Sequence, residues 1–267
     1  MPAEAHDSGG ESVEGEFAPP GEGNHSVRRA LEMLATIAGH QDPLRLGQLA
    51  RELSLPKSSA HSLLRALAAA GFVEGDARGG YVVGLRAFEV GVAYLARTDV
   101  VQAARSELAG LRDALGVTAH VTVLNGVDTV TVAKEDPRRT GPHLASSLGA
   151  RLAAGGTAMG RVQLAHLPDA VERLGLHGRR RRQLDQELER VRTVGTASDR
   201  GATAVGVGSV AAPVFDAAGV CCAAIGVSFL LADEPAWATA GPVVAAAAGR
   251  ITARLGGQAP SNTPRPA

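Results

Sequence analysis

Ser58, Ser59, His61, Ser62 and Arg65 are the residues whose types and spacing point most directly to a chemistry. Interleaved with them, Ala60, Leu63, Leu64 and Leu67 recur at i, i+3, i+4 and i+7, the spacing of one buried stripe on a helix. The opposite face then carries hydroxyl, imidazole and guanidinium groups that can hydrogen-bond outward. A helix with a dry back and a small, mildly basic front fits a DNA major groove, which is ~12 Å wide and admits one helix. Lys57 at the start of that helix, with Arg45 and Arg78 on either side of it in sequence, supplies cations suited to phosphates. The same spacing would also serve a three-helix module that binds another protein, and that alternative stays open here.

Other candidate groups give weaker signals. Cys221 and Cys222 are adjacent, so on a strand they face opposite ways and cannot found a disulfide framework. A catalytic thiol must be acidified and partly exposed, whereas an apolar strand predicts an inert one. His120 falls on a strand as core or pocket lining. Gly155 to Gly160 opens a helix and either cradles an anion or simply packs tightly. Gly206-Val207-Gly208 lacks the third glycine of a dinucleotide fingerprint. The run Arg179 to Arg182 is followed by Asp185, Glu187 and Glu189, which predicts a solvated helix start with its own partners. No P-loop lysine, His-Glu-x-x-His, carboxylate pair or metal-ligand cluster is present, which argues against an enzyme and predicts no cofactor and no metal.

These residues need elements to hold them. With 45% hydrophobic and 20% charged residues, the 267-residue chain can bury two cores. Net charge is zero, so no bulk electrostatic argument favours a nucleic acid, although residues 26–81 carry a small positive excess. Residues 1–24 are rich in acids, Gly and Pro, which predicts a disordered tail and no basic signal-peptide opening. No stretch has the ~18 apolar residues of a membrane span. A cytoplasmic protein is expected, consistent with unpaired cysteines.

From Ser26, a candidate N-cap, Val27, Ala30, Leu31, Leu34, Ala35 and Ala38 keep helical spacing up to Gly39. Leu46, Leu49, Ala50 and Leu53 form a second helix, and Ser54-Leu55-Pro56 a turn, with Pro56 suited to the first position of the next helix. Phe72-Val73-Glu74 and Tyr81-Val82-Val83 read as a hairpin, completing a winged helix-turn-helix over residues 25–84. A linker helix follows over 85–98, with Leu85, Phe88, Val92 and Leu95 on one side as a connecting and dimer-forming surface. Residues 99–256 read as an α+β domain. In it Thr118, His120, Thr122 and Leu124 alternate with Ala119, Val121 and Val123, Asn125-Gly126 turns a hairpin, and a strand runs from Val127. A short strand over 144–148, strands over 202–215 and 220–231, a helix opened by Gly155 to Gly160 and running to about His166, and helices over 168–174, 180–194 and 236–255 complete it. Residues 257–267 have tail composition.

Two sets of motifs together resemble the IclR family of bacterial transcriptional regulators. Ser26-Val27-Arg28-Arg29-Ala30-Leu31, Leu55-Pro56-Lys57-Ser58-Ser59-Ala60-His61 and Gly71-Phe72-Val73 with Tyr81-Val82-Val83-Gly84-Leu85 are similar to its DNA-binding half. Gly149-Ala150-Arg151, Thr157-Ala158-Met159-Gly160, Ala211-Ala212-Pro213-Val214-Phe215-Asp216 and Ala223-Ala224-Ile225-Gly226-Val227-Ser228 are similar to its second half. The resemblance implies a GAF-like effector domain with an antiparallel sheet, double-stranded operator DNA as partner, a homodimer or dimer of dimers, and a small organic effector such as an organic acid or aromatic metabolite. It would place the effector pocket on Gly141, Ala158, Met159, Asp199, Val207, Ser209, Gly226 and Ser228. The chain departs from the family pattern at Ala153-Ala154-Gly155, Gly201-Ala202 and Gly226, which points to a pocket with fewer polar anchors and a larger or more apolar ligand than pyruvate or glyoxylate; in the DNA-reading helix Ser62 stands where the family often has arginine, with Arg65 one turn later, which points to a different operator sequence. Loss of ligand response, or a cysteine-based enzyme built on the same domain, are the alternatives.

Overall fold

The computed structural model describes residues 25–96, 98–137, 147–201, 204–232 and 234–260. The chain divides into two units, with the division inside the fourth helix, between Gly91 and Val92. In the first unit, helices α1 (His25–Gly39), α2 (Leu46–Glu52) and α3 (Lys57–Ala69) precede a hairpin of β1 (Val73–Gly75) and β2 (Tyr81–Val83), and α4 (Leu85–Ala96) follows. Leu49, Ala60, Leu64 and Val73 meet Met33 and Ile37 in one core. Between α2 and α3 Ser54 takes φ +52, the one positive φ outside glycine among the described residues. It lets the Leu55 N–H reach back to the Ala50 carbonyl at 2.8 Å, closing the turn. The hairpin is tied to the helices by a bridge in which Leu44 and Tyr81 exchange N–H···O bonds of 3.1 and 2.8 Å.

The second unit is a six-stranded antiparallel sheet in the order β5-β4-β3-β8-β7-β6. Its strands are β3 (Thr118–Asn125), β4 (Asp128–Glu135), β5 (Arg151–Ala153), β6 (Ala197–Arg200), β7 (Val207–Phe215) and β8 (Cys221–Leu230). On one face α5 (Asp99–Leu115) and α9 (Glu234–Arg254) pack on Ala119, Val121, Ala212, Val214, Ile225 and Val227. On the other lie α6 (Ala158–Leu164), α7 (Pro168–Arg173) and α8 (Gly178–Val194), over Ala197, Ala211 and Ala224. Both faces are thus covered, and the polar residues that alternate along β3 are buried under α6. Glu107 of α5 clamps α9, accepting from Arg250 Nε at 2.9 Å and Arg254 Nη2 at 2.6 Å. Past Ala211, β6 no longer pairs with β7. There Pro213 has no N–H to offer and the Phe215 N–H is given to Thr252 Oγ1 at 3.1 Å.

Several expectations are corrected. On α1 the buried stripe is Met33 and Ile37, while Val27 and Leu31 are 59% and 60% exposed. The helix starts at His25, so Ser26 lies inside its first turn, and Pro56 is the cap residue before α3. The two-residue turn is Gly126-Val127, since Asn125 pairs with Asp128. Gly126 at φ +66 takes the first central position, where one kind of hairpin turn needs glycine, so the strand starts at Asp128 rather than Val127. The strand expected over 202–215 begins only at Val207, residues 202–203 lying outside the described residues and 204–206 forming no strand, and β6 at Ala197–Arg200 was not anticipated. β5 at Arg151–Ala153 was not anticipated; of the strand expected over 144–148, residues 144–146 lie outside the described residues and 147–148 form no strand. The acidic segment 1–24 and the tail from 261 also lie outside them. No helix among the described residues is long and apolar enough to cross a membrane.

Candidate functional site

The α3 face is built as the spacing predicts. Ala60, Leu64 and Leu67 are buried and Leu63 half-buried, while Lys57, Ser58, His61, Ser62 and Arg65 are exposed and Ser59 is half-buried. Arg45 precedes α2 and is exposed, its N–H donating to Gln48 Oε1 at 2.8 Å. Arg78 stands exposed in the hairpin turn, where Asp76 Oδ1 accepts the N–H groups of Arg78 and Gly80 at 2.9 and 2.8 Å. That turn sits against the segment between α1 and α2 because Gly80 has no side chain; a Cβ there would lie 2.5 Å from Pro43 Cβ. Three glutamates of this unit are engaged elsewhere: Glu32 with Arg28 at 3.9 Å, Glu52 with His40 at 3.7 Å, and Glu74 with the Leu85 N–H at 3.1 Å. Among the described residues Arg45, Lys57, Arg65 and Arg78 hold no carboxylate, and α3 itself contains none. Small hydrogen-bonding groups flanked by unneutralised cations can contact base edges and phosphates.

In the second unit the register assembles a row that crosses four strands. Asp199 pairs with Ser209, Ser209 with Ser228, and Ser228 with Thr118. The adjacent row is Ala197, Ala211, Gly226, His120 and Lys134. Helix α6 lies above. Thr157 Oγ1 caps it by accepting the Gly160 N–H at 3.0 Å, and Asp199 Oδ2 accepts the Ala158 N–H at 2.9 Å and the Ser209 hydroxyl at 2.5 Å. Gly160 is required by contact, because a Cβ would overlap the Ala154 backbone. Of the two readings of Gly155 to Gly160, the close packing is what the structure shows, and a protein carboxylate already lies at the helix start. Met159 is buried over Gly226, where a Cβ would come within 2.9 Å of its Sδ and Cε and overlap the Val210 carbonyl. The side chain missing at Gly226 is therefore replaced by a thioether.

Of the expected pocket residues, Ala158, Met159, Asp199, Ser209, Gly226 and Ser228 come together under α6. Val207 lies half-buried two positions from Ser209 on the same face, and Gly141 is outside the described residues. Sequence reasoning missed Thr118 and Gln163. Thr118 Oγ1 donates to Asp136 Oδ1 at 3.0 Å, and Gln163 Nε2 donates to Thr122 Oγ1 and the Met159 carbonyl, both at 3.1 Å. Their signals were the strand alternation at Thr118 and the i, i+4 spacing of Gln163 from Met159. His120 is buried with Nδ1 unpartnered, and burial, aided by Lys134, pushes its pKa down to about 4. The cysteines are free, and burial pushes the Cys221 thiol up to about 12 and Cys222 up to about 11, the reverse of an activated nucleophile. In the arginine run, Arg181 binds Asp185 at 2.8 Å and Glu172 at 2.9 Å, as a solvated helix start should.

Comparison with known proteins agrees with both units. Residues 26–77 match the family model of the IclR helix-turn-helix domain, and residues 92–233 that of the bacterial transcriptional regulator IclR C-terminal domain. The chain is 31% identical over 218 residues to the HTH-type transcriptional regulator BhcR of Paracoccus denitrificans, covering 77% of each chain. It is 30% identical over 218 residues to the glycerol operon regulatory protein of Streptomyces coelicolor, covering 76% of this chain and 84% of the other. Its structure is similar to that of Pseudomonas aeruginosa HmgR, with TM-score 0.69 and 29% identity over 86% of this chain and 99% of that one. An IclR homolog from Microbacterium hydrocarbonoxydans, complexed with 4-hydroxybenzoate, shares the fold at TM-score 0.73 and 19% identity, covering 86% and 98%.

Proposed function

Because the chain belongs to the IclR family of bacterial transcriptional regulators, and is accordingly a DNA-binding transcriptional regulator, we propose that α3 is its reading head. Ser58, Ser59, His61, Ser62 and Arg65 meet base edges or phosphates in a major groove, Lys57, Arg45 and Arg78 meet phosphates, and the hairpin lies along the next groove. The observation that supports this best is the α3 face itself: buried behind, hydrogen-bonding in front, with cations that hold no carboxylate among the described residues. Ser62 and Arg65 set the sequence preference.

Operator affinity is modulated by a small effector held between the Asp199, Ser209, Ser228 row and the start of α6. A relative solved with 4-hydroxybenzoate supports a pocket of this kind in the same fold. The protein works in the cytoplasm as a homodimer or dimer of dimers. The apolar side of α4 supports this, since Leu85, Phe88 and Val92 are all exposed in the single chain, two of them by about two thirds, at 65% and 66%.

A gel-shift titration against genomic sequences selected by the protein tests the reading. Arg65→Ala weakens binding by ~1–3 kcal/mol if its contact is bidentate to a base. Unchanged affinity and sequence preference would overturn the assignment of α3.

A further inference from the structure

We propose that the acidic segment of residues 1–24 docks on the α3 face and competes with DNA for it, so that the chain carries its own internal polyanion. This rests on α3 being the reading head. The face has no counterion of its own: α3 contains no acid, and Arg45, Lys57, Arg65 and Arg78 hold no carboxylate among the described residues. The segment supplies the complement, since its Glu4, Asp7, Glu11, Glu14, Glu16 and Glu22 are accompanied by no Lys or Arg. It also has the reach. It leads into α1 at His25, and α1 packs on α3 in one core. At ~1.5 Å per residue and ~10 Å between axes, no point on α3 is more than roughly 50 Å from His25. Twenty-four residues span up to ~80 Å.

Charge density decides which polyanion wins. Along an extended chain the six acids fall about one per ~12 Å, whereas duplex DNA presents one charge per ~1.7 Å. The segment is therefore a weak competitor that a duplex displaces. With a Debye length of ~8 Å at physiological salt, its acids act by contact with the cations and not from a distance. The contacts it occupies are those made to phosphates, which every sequence offers alike. Docking thus lowers affinity for operator and for random duplex by one common factor. It sets how much of the protein is free to bind, and leaves the sequence preference to the α3 side chains.

The lysines make the contact readable. Lys57 and Lys134 are the only two in the chain, and Lys134 is paired with Asp136 at 2.9 Å. A water-soluble carbodiimide joins an amine to a carboxylate in direct contact, and trypsin then releases all six acids on one peptide ending at Arg28. In the full chain without DNA, mass spectrometry should find Lys57 joined to that peptide and Lys134 joined to Asp136. Operator DNA should abolish the first link and leave the second. Lys57 left unlinked while Lys134 reacts overturns the docking. In a second arm, the full chain with E4Q, D7N, E11Q, E14Q, E16Q and E22Q should bind operator and random duplex more tightly by the same factor. That factor is about fivefold at ~50 mM salt, the worth of two or three exposed ion pairs, and shrinks towards one near ~200 mM. Affinities equal to wild type overturn the competition. Tighter binding without a Lys57 link means that the acids repel DNA without covering the face, and overturns the docking too. Either failure leaves the reading head standing, whereas an Arg65→Ala variant with unchanged operator affinity and sequence preference removes the reading head and this proposal with it.

Discussion

The clamp between α5 and α9 makes an asymmetric prediction about stability. Glu107 has only 8% of its side chain exposed, whereas Arg250 and Arg254 are 56% and 43% exposed. Burial alone would raise the Glu107 pKa, but the bonds and charges of the two guanidinium groups outweigh it and hold the carboxyl below its ordinary value. Glu107→Gln leaves behind two arginines that water can reach, so its cost is the net value of charge-assisted hydrogen bonds, about 2 kcal/mol. Arg250→Ala with Arg254→Ala instead strands a buried carboxylate, and breaking a buried pair that way costs ~3–5 kcal/mol. Urea unfolding followed by circular dichroism at pH 7 should therefore rank the double arginine variant well below Glu107→Gln. The depressed pKa also fixes the pH trend. The stabilisation is fully present above the ordinary glutamate value and is lost as pH falls through the lower folded value, so wild type and Glu107→Gln converge in acid. Equal destabilisation by the two variants, or a difference that persists in acid, would refute the reasoning.

Three further outcomes follow from groups described above. Cys221 and Cys222, with thiols raised to about 12 and about 11, should alkylate slowly at pH 7 in the native protein and rapidly in denaturant; fast native labelling, read by mass spectrometry, would contradict the buried strand environment. Gly160→Ala should destabilise the second unit by more than the few tenths of a kcal/mol typical of a surface change, because its Cβ overlaps the Ala154 backbone, and a Tm equal to wild type would show that contact to be loose. His120, unprotonated down to about pH 4 when folded but basic near its usual 6.5 when unfolded, contributes stability that is present above pH 6.5 and lost as pH falls towards 4. His120→Asn should flatten that slope in an unfolding series, and an unaltered slope would remove His120 as its source.

The parts of the structure that were legible in the sequence are those whose cause is local. The i, i+3, i+4, i+7 stripe of α3 fixed both its buried and its outward faces, because one helix carries the whole signal. In α1 two apolar stripes compete, and periodicity cannot say whether Val27 and Leu31 or Met33 and Ile37 meet the core; the partner helices decide. β6 was missed because Ala-Ser-Asp-Arg has neither alternation nor β-branched residues. It is a strand because β7 pairs with it and Asp199 is bound by α6. The Asp199, Ser209, Ser228, Thr118 row depends on three long-range registers that no spacing encodes, and only the family resemblance brought three of its four members forward.

The end of β7 has a consequence for assembly. Pro213 and the Thr252 bond to the Phe215 N–H leave that margin of the sheet without a free donor at either position, and the opposite margin, β5, is three residues long. At positions 213 and 215 an added strand would find no backbone donor, so that stretch of the margin offers a second copy side chains rather than a template.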